Sequence, residues 1–421
     1  MEVKPGYKQT EVGVIPEEWE ANGLGRFWSV TDCKHVTAQF VPQGFPLASI
    51  REVQSRFVDL TNAKQTTAHF YNLLIEGGRK PCPGDLILSR NATVGEVAQV
   101  AEWHPSFAMG QDVCLLRKKS ADHSTEFLQS VFQSPVILNQ LANLMVGSTF
   151  KRANVEQIRN FSVPMPSPPE QRAIATALSD VDGLLGGLDR LIAKKRDLKQ
   201  AAMQQLLTSQ TRLPGFHGEW EVKRLRAIVQ TPVTDGPHLT PRFFDDGIPF
   251  LSVNNLVGNR IDLTDLRFIS QQDHEVFSRK CKPQRDDILL GKAASVGKVA
   301  IVELDCEFNI WSPIALIRVS TDHAARFIYY QLQSADLISQ ITLLTNSSSQ
   351  GNIGMGDIEK LTLKLPPLPE QTAIASVLTE MDGELAGLTQ RREKTRALKQ
   401  AMMQELLTGR TRLVSPEVAH A

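Results

Sequence analysis

Side chains able to do chemistry are plentiful in this chain of 421 residues, yet they do not gather. The nine histidines are dispersed. His238 sits in the turn-rich stretch Asp235-Gly236-Pro237-His238-Leu239-Thr240, which suits a hydrogen-bonding loop histidine better than a catalyst. The segment from Gly291-Lys292 to Gly297-Lys298-Val299 imitates a phosphate-binding loop. One residue too many separates its glycines, and Val299 stands where a magnesium-binding hydroxyl is needed. No GxSxG elbow, HExxH pair or nuclease-type Pro-Asp…Glu-x-Lys pattern occurs. Ser167-Pro168-Pro169-Glu170 is not the Asn-Pro-Pro-aromatic loop of amino-methyltransferases. Cys33, Cys82, Cys114, Cys281 and Cys306 are scattered without CxxC spacing, so neither a zinc site nor a disulfide framework is indicated. Free buried thiols in a reducing cytoplasm are expected. The chain is therefore read as having no catalytic residue, no metal and no cofactor of its own.

What remains is side chains suited to nucleic acid. Arg, Lys, Asn and Gln can make bidentate contacts to guanine or adenine edges, or hold phosphates. The candidates are Arg79, Lys80, Arg90, Asn91, Lys151 and Arg152 in the first half, and Asn254, Asn255, Lys292, Lys298, Gln350 and Asn352 in the second. Arg90-Asn91 and Gly291-Lys292 follow equivalent apolar stretches, which raises both above ordinary loop residues.

Two globular regions must carry these residues. In the first, 15–166, short apolar stretches at 46–50, 85–89, 94–100 and 113–117 predict strands. Residues 126–144 predict a helix that Pro135 kinks or splits, and 161–166 a last strand. The second region, 214–366, repeats the plan. Glu17-Glu18-Trp19-Glu20 is echoed by Gly218-Glu219-Trp220-Glu221, and Asp85-Leu86-Ile87-Leu88 by Asp287-Ile288-Leu289-Leu290. The details differ, however: residues 61–76 have little in common with 260–276.

The segments between and after the globules are nearly copies. Of the 45 aligned positions from Pro169 and from Pro369, 26 are identical without a gap, which marks an internal duplication. Each copy predicts one long helix of roughly 60 Å. Ile174, Leu178, Val181, Leu185 and Leu188 recur as Ile374, Leu378, Met381, Leu385 and Leu388, the alternating four-three spacing of a coiled-coil seam. Beyond Leu188 the seam is read as slipping, by a three-residue stammer, onto Leu191, Leu198, Ala202 and Gln205 or Leu206 and, in the second copy, Leu398, Met402 and Leu406. Gly183, Gly187, Gly383 and Gly387 match between copies and cost helix stability; close approach of two backbones would explain them, and a helix break is the alternative. With a whole domain intervening, the helices are expected to pack antiparallel. The basic runs Lys194-Lys195-Arg196 with Lys199, and Arg391-Arg392 with Lys394, Arg396 and Lys399, read either as a solvated helix face or as a docking or phosphate-facing stripe.

The expected layout is α+β: an N-terminal extension (1–14), globule (15–166), long helix (167–213), globule (214–366), long helix (367–413) and tail (414–421). Net charge is zero, so any basic surface must be local. Neither a signal peptide nor a bilayer-spanning run is apparent.

The chain resembles the specificity subunits of type I restriction–modification systems. The resemblance rests on Tyr7-Lys8-Gln9-Thr10-Glu11-Val12-Gly13-Val14-Ile15-Pro16-Glu17-Glu18-Trp19, on Leu213-Pro214-Gly215-Phe216-His217-Gly218-Glu219-Trp220, and on the Pro-Glu-Gln starts and Leu-Leu-Thr ends of both helices. It implies two α/β target recognition domains, each reading half of a split, asymmetric sequence in double-stranded DNA. It further implies an antiparallel coiled coil that sets the spacer, with an internal pseudo-two-fold repeat. Two modification (methyltransferase) subunits would bring S-adenosylmethionine, and restriction subunits ATP and magnesium. A coiled-coil adaptor that binds only proteins, and a self-sufficient nuclease or methyltransferase, are the competing expectations.

Overall fold

The computed structural model describes residues 4–91, 95–145, 152–345 and 351–414. They fall into two compact units, residues 1–189 with 390–421 and residues 190–389.

In the first unit a four-stranded antiparallel sheet runs in the order Trp28–Asp32, Val113–Lys118, Leu86–Ser89, Val97–Gln99. Successive strand residues face opposite ways. Leu86, Leu88, Cys114 and Leu116 accordingly enter one core, and Ile87, Val113 and Leu115 another on the other face. Burial on both faces is why these strands read as unbroken apolar runs. A second sheet joins Ala108–Met109, Phe45–Ala48, Gln65–Thr66 and Phe40–Val41. Thr125–Phe132 and Pro135–Met145 are separate helices, divided at the expected proline. The Ser134 hydroxyl donates to the Val131 carbonyl at the break.

The residues expected to be an extension belong to the unit. Tyr7–Thr10 pairs with Gly13–Pro16 in a hairpin, and the Tyr7 hydroxyl donates to the Gly409 carbonyl at 3.0 Å. Gly409 takes φ 67, and a Cβ there would come within 2.5 Å of the Pro16 ring, so the turn after the second long helix has no room for a side chain.

The second unit repeats the scheme with Thr234–Asp235, Ile314–Ile317, Ile288–Gly291 and Val299–Ile301, beside a three-stranded sheet of Arg267–Ile269, Ile248–Leu251 and Asn309–Ile310. The register is the same even where the residues are not. Val41 lies opposite Gln65, and Phe244 opposite Phe268; Phe45 lies opposite Thr66, and Ile248 opposite Ile269. A constant shift of 203 positions relates these pairs, and it carries Ala68–Leu74 onto the start of the helix Gln271–Ser278. Stretches 61–76 and 260–276, so unlike in sequence, are thus structural counterparts over much of their length.

Pro168–Leu206 and Leu368–Leu406 are each one helix of 39 residues. Within the first unit, Glu170, Asp182 and Asp189 pair with Arg412, Lys399 and Arg392. Rising numbers meet falling ones, so the paired segments run antiparallel. Within the second unit Lys195, Lys199 and Arg212 meet Glu384, Asp382 and Glu370 in the same sense. Glu170 and Glu370 are fully buried at the helix starts; Arg212 reaches Glu370 with two bonds of 2.5 and 2.6 Å.

The expected seam needs correction. Ile174, Leu178, Ile374 and Leu378 are buried, as is Leu188, while Val181, Leu185, Met381, Leu385 and Leu388 are half-buried. Leu198 and Leu398 are 48% and 56% exposed, and Leu191 is exposed as well. The shielded positions continue instead through Ile192, Lys195 and Lys199, and through Arg392, Thr395 and Lys399. That is uninterrupted four-three spacing with no stammer. Long basic side chains hold the later positions, laying apolar stems along the stripe while their charges reach acids. The expected close approach at the helix glycines is absent too: a Cβ at Gly183, Gly187, Gly383 or Gly387 would meet no atom within 4 Å. Nor does either helix break there.

Candidate nucleic-acid interface

Two of the expected DNA contacts prove to be internal. Arg90 is 2% exposed and its guanidinium lies 2.6 Å from Asp32. Lys292 is 9% exposed and lies 3.1 Å from Asp235, which is wholly buried. Each cation immediately follows a central strand, and each acid ends the edge strand of the same sheet, one strand further over. The equivalence noticed in sequence is real, but its role is an internal ion pair: buried Arg90 with half-buried Asp32, and buried Lys292 with buried Asp235. Burial of an ion is costly unless it is paired.

The other candidates divide. Arg79 is half-buried and donates to the Asp32 and Glu76 carbonyls. Asn255 is buried, where it closes a capping box with Ser252 and donates to the Asp262 and Asp265 carbonyls. Lys298 is half-buried, its Nζ 3.5 Å from the Val253 carbonyl. Lys80, Arg152, Asn254 and Asn352 are exposed. Asn91 is half-buried and bridges to Arg152, as Ala293 does to Asn352, so each strand-end loop meets the start of a later segment. Lys151 and Gln350 lie outside the described residues.

Beside each of these acids the structure adds a histidine that sequence reasoning did not connect. His35 Nε2 is 3.4 Å from Asp32, and His238 Nε2 is 3.1 Å from Asp235, at the same three-residue spacing. Lys280 joins Asp235 at 2.5 Å. Burial alone would push the Asp235 carboxyl up, but hydrogen bonds from Lys280 and Lys292 outweigh it and hold the group below the usual carboxylate range. The repeated Asp-x-x-His was the available signal. It was masked because Cys33-Lys34 occupies the intervening places in one copy and Gly236-Pro237 in the other. Gly236 is obligatory: a Cβ there would fall 1.7 Å from the Ile310 carbonyl oxygen.

Asp32, Cys33 and His35 also bring ligand-type atoms within 4.8 Å of one another. Three observations oppose a metal reading. Arg90 already neutralises Asp32, and the second copy has no thiol. Burial pushes the Cys33 thiol up, further from the thiolate a metal would need.

A second shared feature lies on the strand that follows. Lys64 Nζ sits 4.5 Å from the centre of the Phe40 ring, and the Arg267 guanidinium 4.9 Å from that of Phe243. The shift is again 203 positions. Phe40 is 54% exposed, and Lys64 and Arg267 are exposed.

Comparison with known proteins places this arrangement. Residues 66–193 and 217–396 match the type I restriction modification DNA specificity domain. The chain therefore belongs to the family of type I restriction–modification specificity subunits. It is 21% identical over 421 residues to the type I restriction enzyme MjaVIII specificity subunit of Methanocaldococcus jannaschii, covering 95% of this chain and 94% of that one. It is 22% identical to the EcoBI specificity subunit of Escherichia coli over 356 residues, or 79% and 72% of the two chains. The fold is similar to the crystal structure of a type I restriction–modification S subunit from M. genitalium, with a TM-score of 0.60 at 15% identity over 96% of this chain and 98% of that one. Among the described residues no helix is long and apolar enough to cross a membrane.

Proposed function

We propose that this chain is the sequence-reading subunit of a type I restriction–modification complex and has no chemistry of its own. Each recognition domain reads one half of a bipartite, asymmetric site in duplex DNA. The two long helices pair as an antiparallel coiled coil that fixes the spacer between half-sites. They also dock two modification subunits and, through them, restriction subunits. S-adenosylmethionine, ATP and magnesium act in those partners, and this subunit needs none of them.

One observation carries the reading: two near-identical helices with antiparallel ion pairs in each unit, joined to domains of common register but unlike sequence. A rigid link converts two short readouts into one long site, because the second domain binds at high effective concentration once the first is engaged. The test is a swap of residues 15–165 for the matching domain of another family member, followed by mapping of methylated adenines. One half of the methylated sequence should change and the other stay. An unchanged sequence would refute the proposal.

A further inference from the structure

Devices present in both recognition domains call for a reason that does not depend on sequence, since the two domains are read as recognising different half-sites. What both half-sites share is the phosphate backbone. Phosphate contacts set orientation and register, while base contacts carry specificity.

The geometry points to a phosphate clamp at the same place in each domain. In it Lys64 and Arg267, steadied over Phe40 and Phe243, and His35 and His238, steadied by Asp32 and Asp235, hold the backbone of duplex DNA. This rests on the DNA-reading function proposed above and replaces Arg90 and Lys292 as the electrostatic contacts.

Four observations support it. The cations on the rings are exposed, whereas Arg90 and Lys292 are themselves buried and spent on internal ion pairs. The His35 and His238 side chains are 59% and 69% exposed although each meets a carboxylate. A carboxylate only accepts, so Nε2 carries the proton that faces it, and Nδ1 is left for an incoming group. A phosphate there needs an Nδ1–H donor, so this contact requires the doubly protonated ring. Finally, histidine and aromatic ring are five residues apart in both copies, within one segment of each chain half. Holding a lysine or arginine over a ring reduces the side-chain freedom lost on binding.

The test uses the full chain in complex with its modification subunits. A fluorescent duplex carries the methylated genomic motif, a scrambled duplex serves as competitor, and Kd is measured from 50 to 200 mM salt. Each phosphate contact contributes about 0.9 to the slope of log affinity against log salt, roughly a threefold change over this range. K64Q and R267Q should each lower the slope by about that amount and leave the preference for the motif unchanged. K64R and R267K should restore the slope, which separates lost charge from lost folding. H35Q combined with H238Q should weaken motif and scrambled duplex by the same factor. An unchanged slope in K64Q and R267Q would overturn the clamp, as would a histidine effect confined to the motif. If the unaltered complex shows no preference for its motif, the DNA-reading function itself has failed, which is a different result.

Discussion

Removing the charge of Asp235 tests how the second recognition domain is held together. Asp235 is fully buried and faces Lys280, Lys292 and His238 at 2.5, 3.1 and 3.1 Å. In Asp235→Asn the shape survives but the anion does not. The Lys280 side chain is half exposed and can turn to water, so its loss is small. Lys292 cannot, because only 11% of its side chain is exposed. Stranding one partner of a buried pair costs about 3–5 kcal/mol, and we take the lower end, about 3 kcal/mol, for a lysine that keeps some access to water. For a unit of this size each kcal/mol moves Tm by about 2–4 °C, so the transition of residues 190–389 should fall by roughly 6–12 °C. Differential scanning calorimetry of the full chain reads this directly. The pH dependence has a fixed sign. Asp235 titrates below its ordinary value in the folded chain, so its stabilisation is complete above the unfolded carboxylate range, near pH 4, and is lost as pH falls through the folded value. The gap between wild type and Asp235→Asn should be fully open at neutral pH and close under strong acid. A gap below about 1 kcal/mol, or one that widens toward acid, would refute the reasoning.

Gly183→Ala and Gly387→Ala should each stabilise by about 0.5–1 kcal/mol, since a Cβ meets nothing within 4 Å and the helix is continuous; thermal melting checks the direction. Leu198→Gln and Leu398→Gln should change stability by less than about 0.5 kcal/mol, because both side chains are about half exposed. Ile192→Ala, at 5% exposure, should cost about 2–4 kcal/mol in chemical denaturation. The reverse order would restore the stammered seam.

Much of this architecture can be read before any coordinates. Strands buried on both faces announce themselves as apolar runs, and Pro135 marks the helix break because it cannot continue a hydrogen-bonded turn. The duplicated helices follow from identity alone. Four things were hidden, each for a physical reason. The seam looked broken after Leu188 because Lys195, Lys199 and Lys399 bury stems rather than whole side chains, and apolarity is a poor guide to such positions. Arg90 and Lys292 looked like surface contacts because their partners, Asp32 and Asp235, are 58 and 57 residues away in sequence. The Asp–His and cation–ring pairs could not be seen as pairs, since Lys64 and Phe40 become neighbours only through the register of Val41 opposite Gln65. The N-terminal hairpin was missed because its closing contact, Tyr7 to Gly409, spans almost the whole chain.

The central claim is that paired helices set the distance between two readouts. Three extra heptads in each helix, placed between 189 and 190 and between 389 and 390, keep the four-three spacing in phase. They add about 31 Å at 1.5 Å per residue, close to one turn of duplex, so both domains would face the same side of the DNA as before. Mapping methylated adenines in cells carrying this variant should show the original half-sites with a spacer longer by about nine base pairs, at roughly 3.4 Å per pair. Methylation at the original spacing would contradict the account.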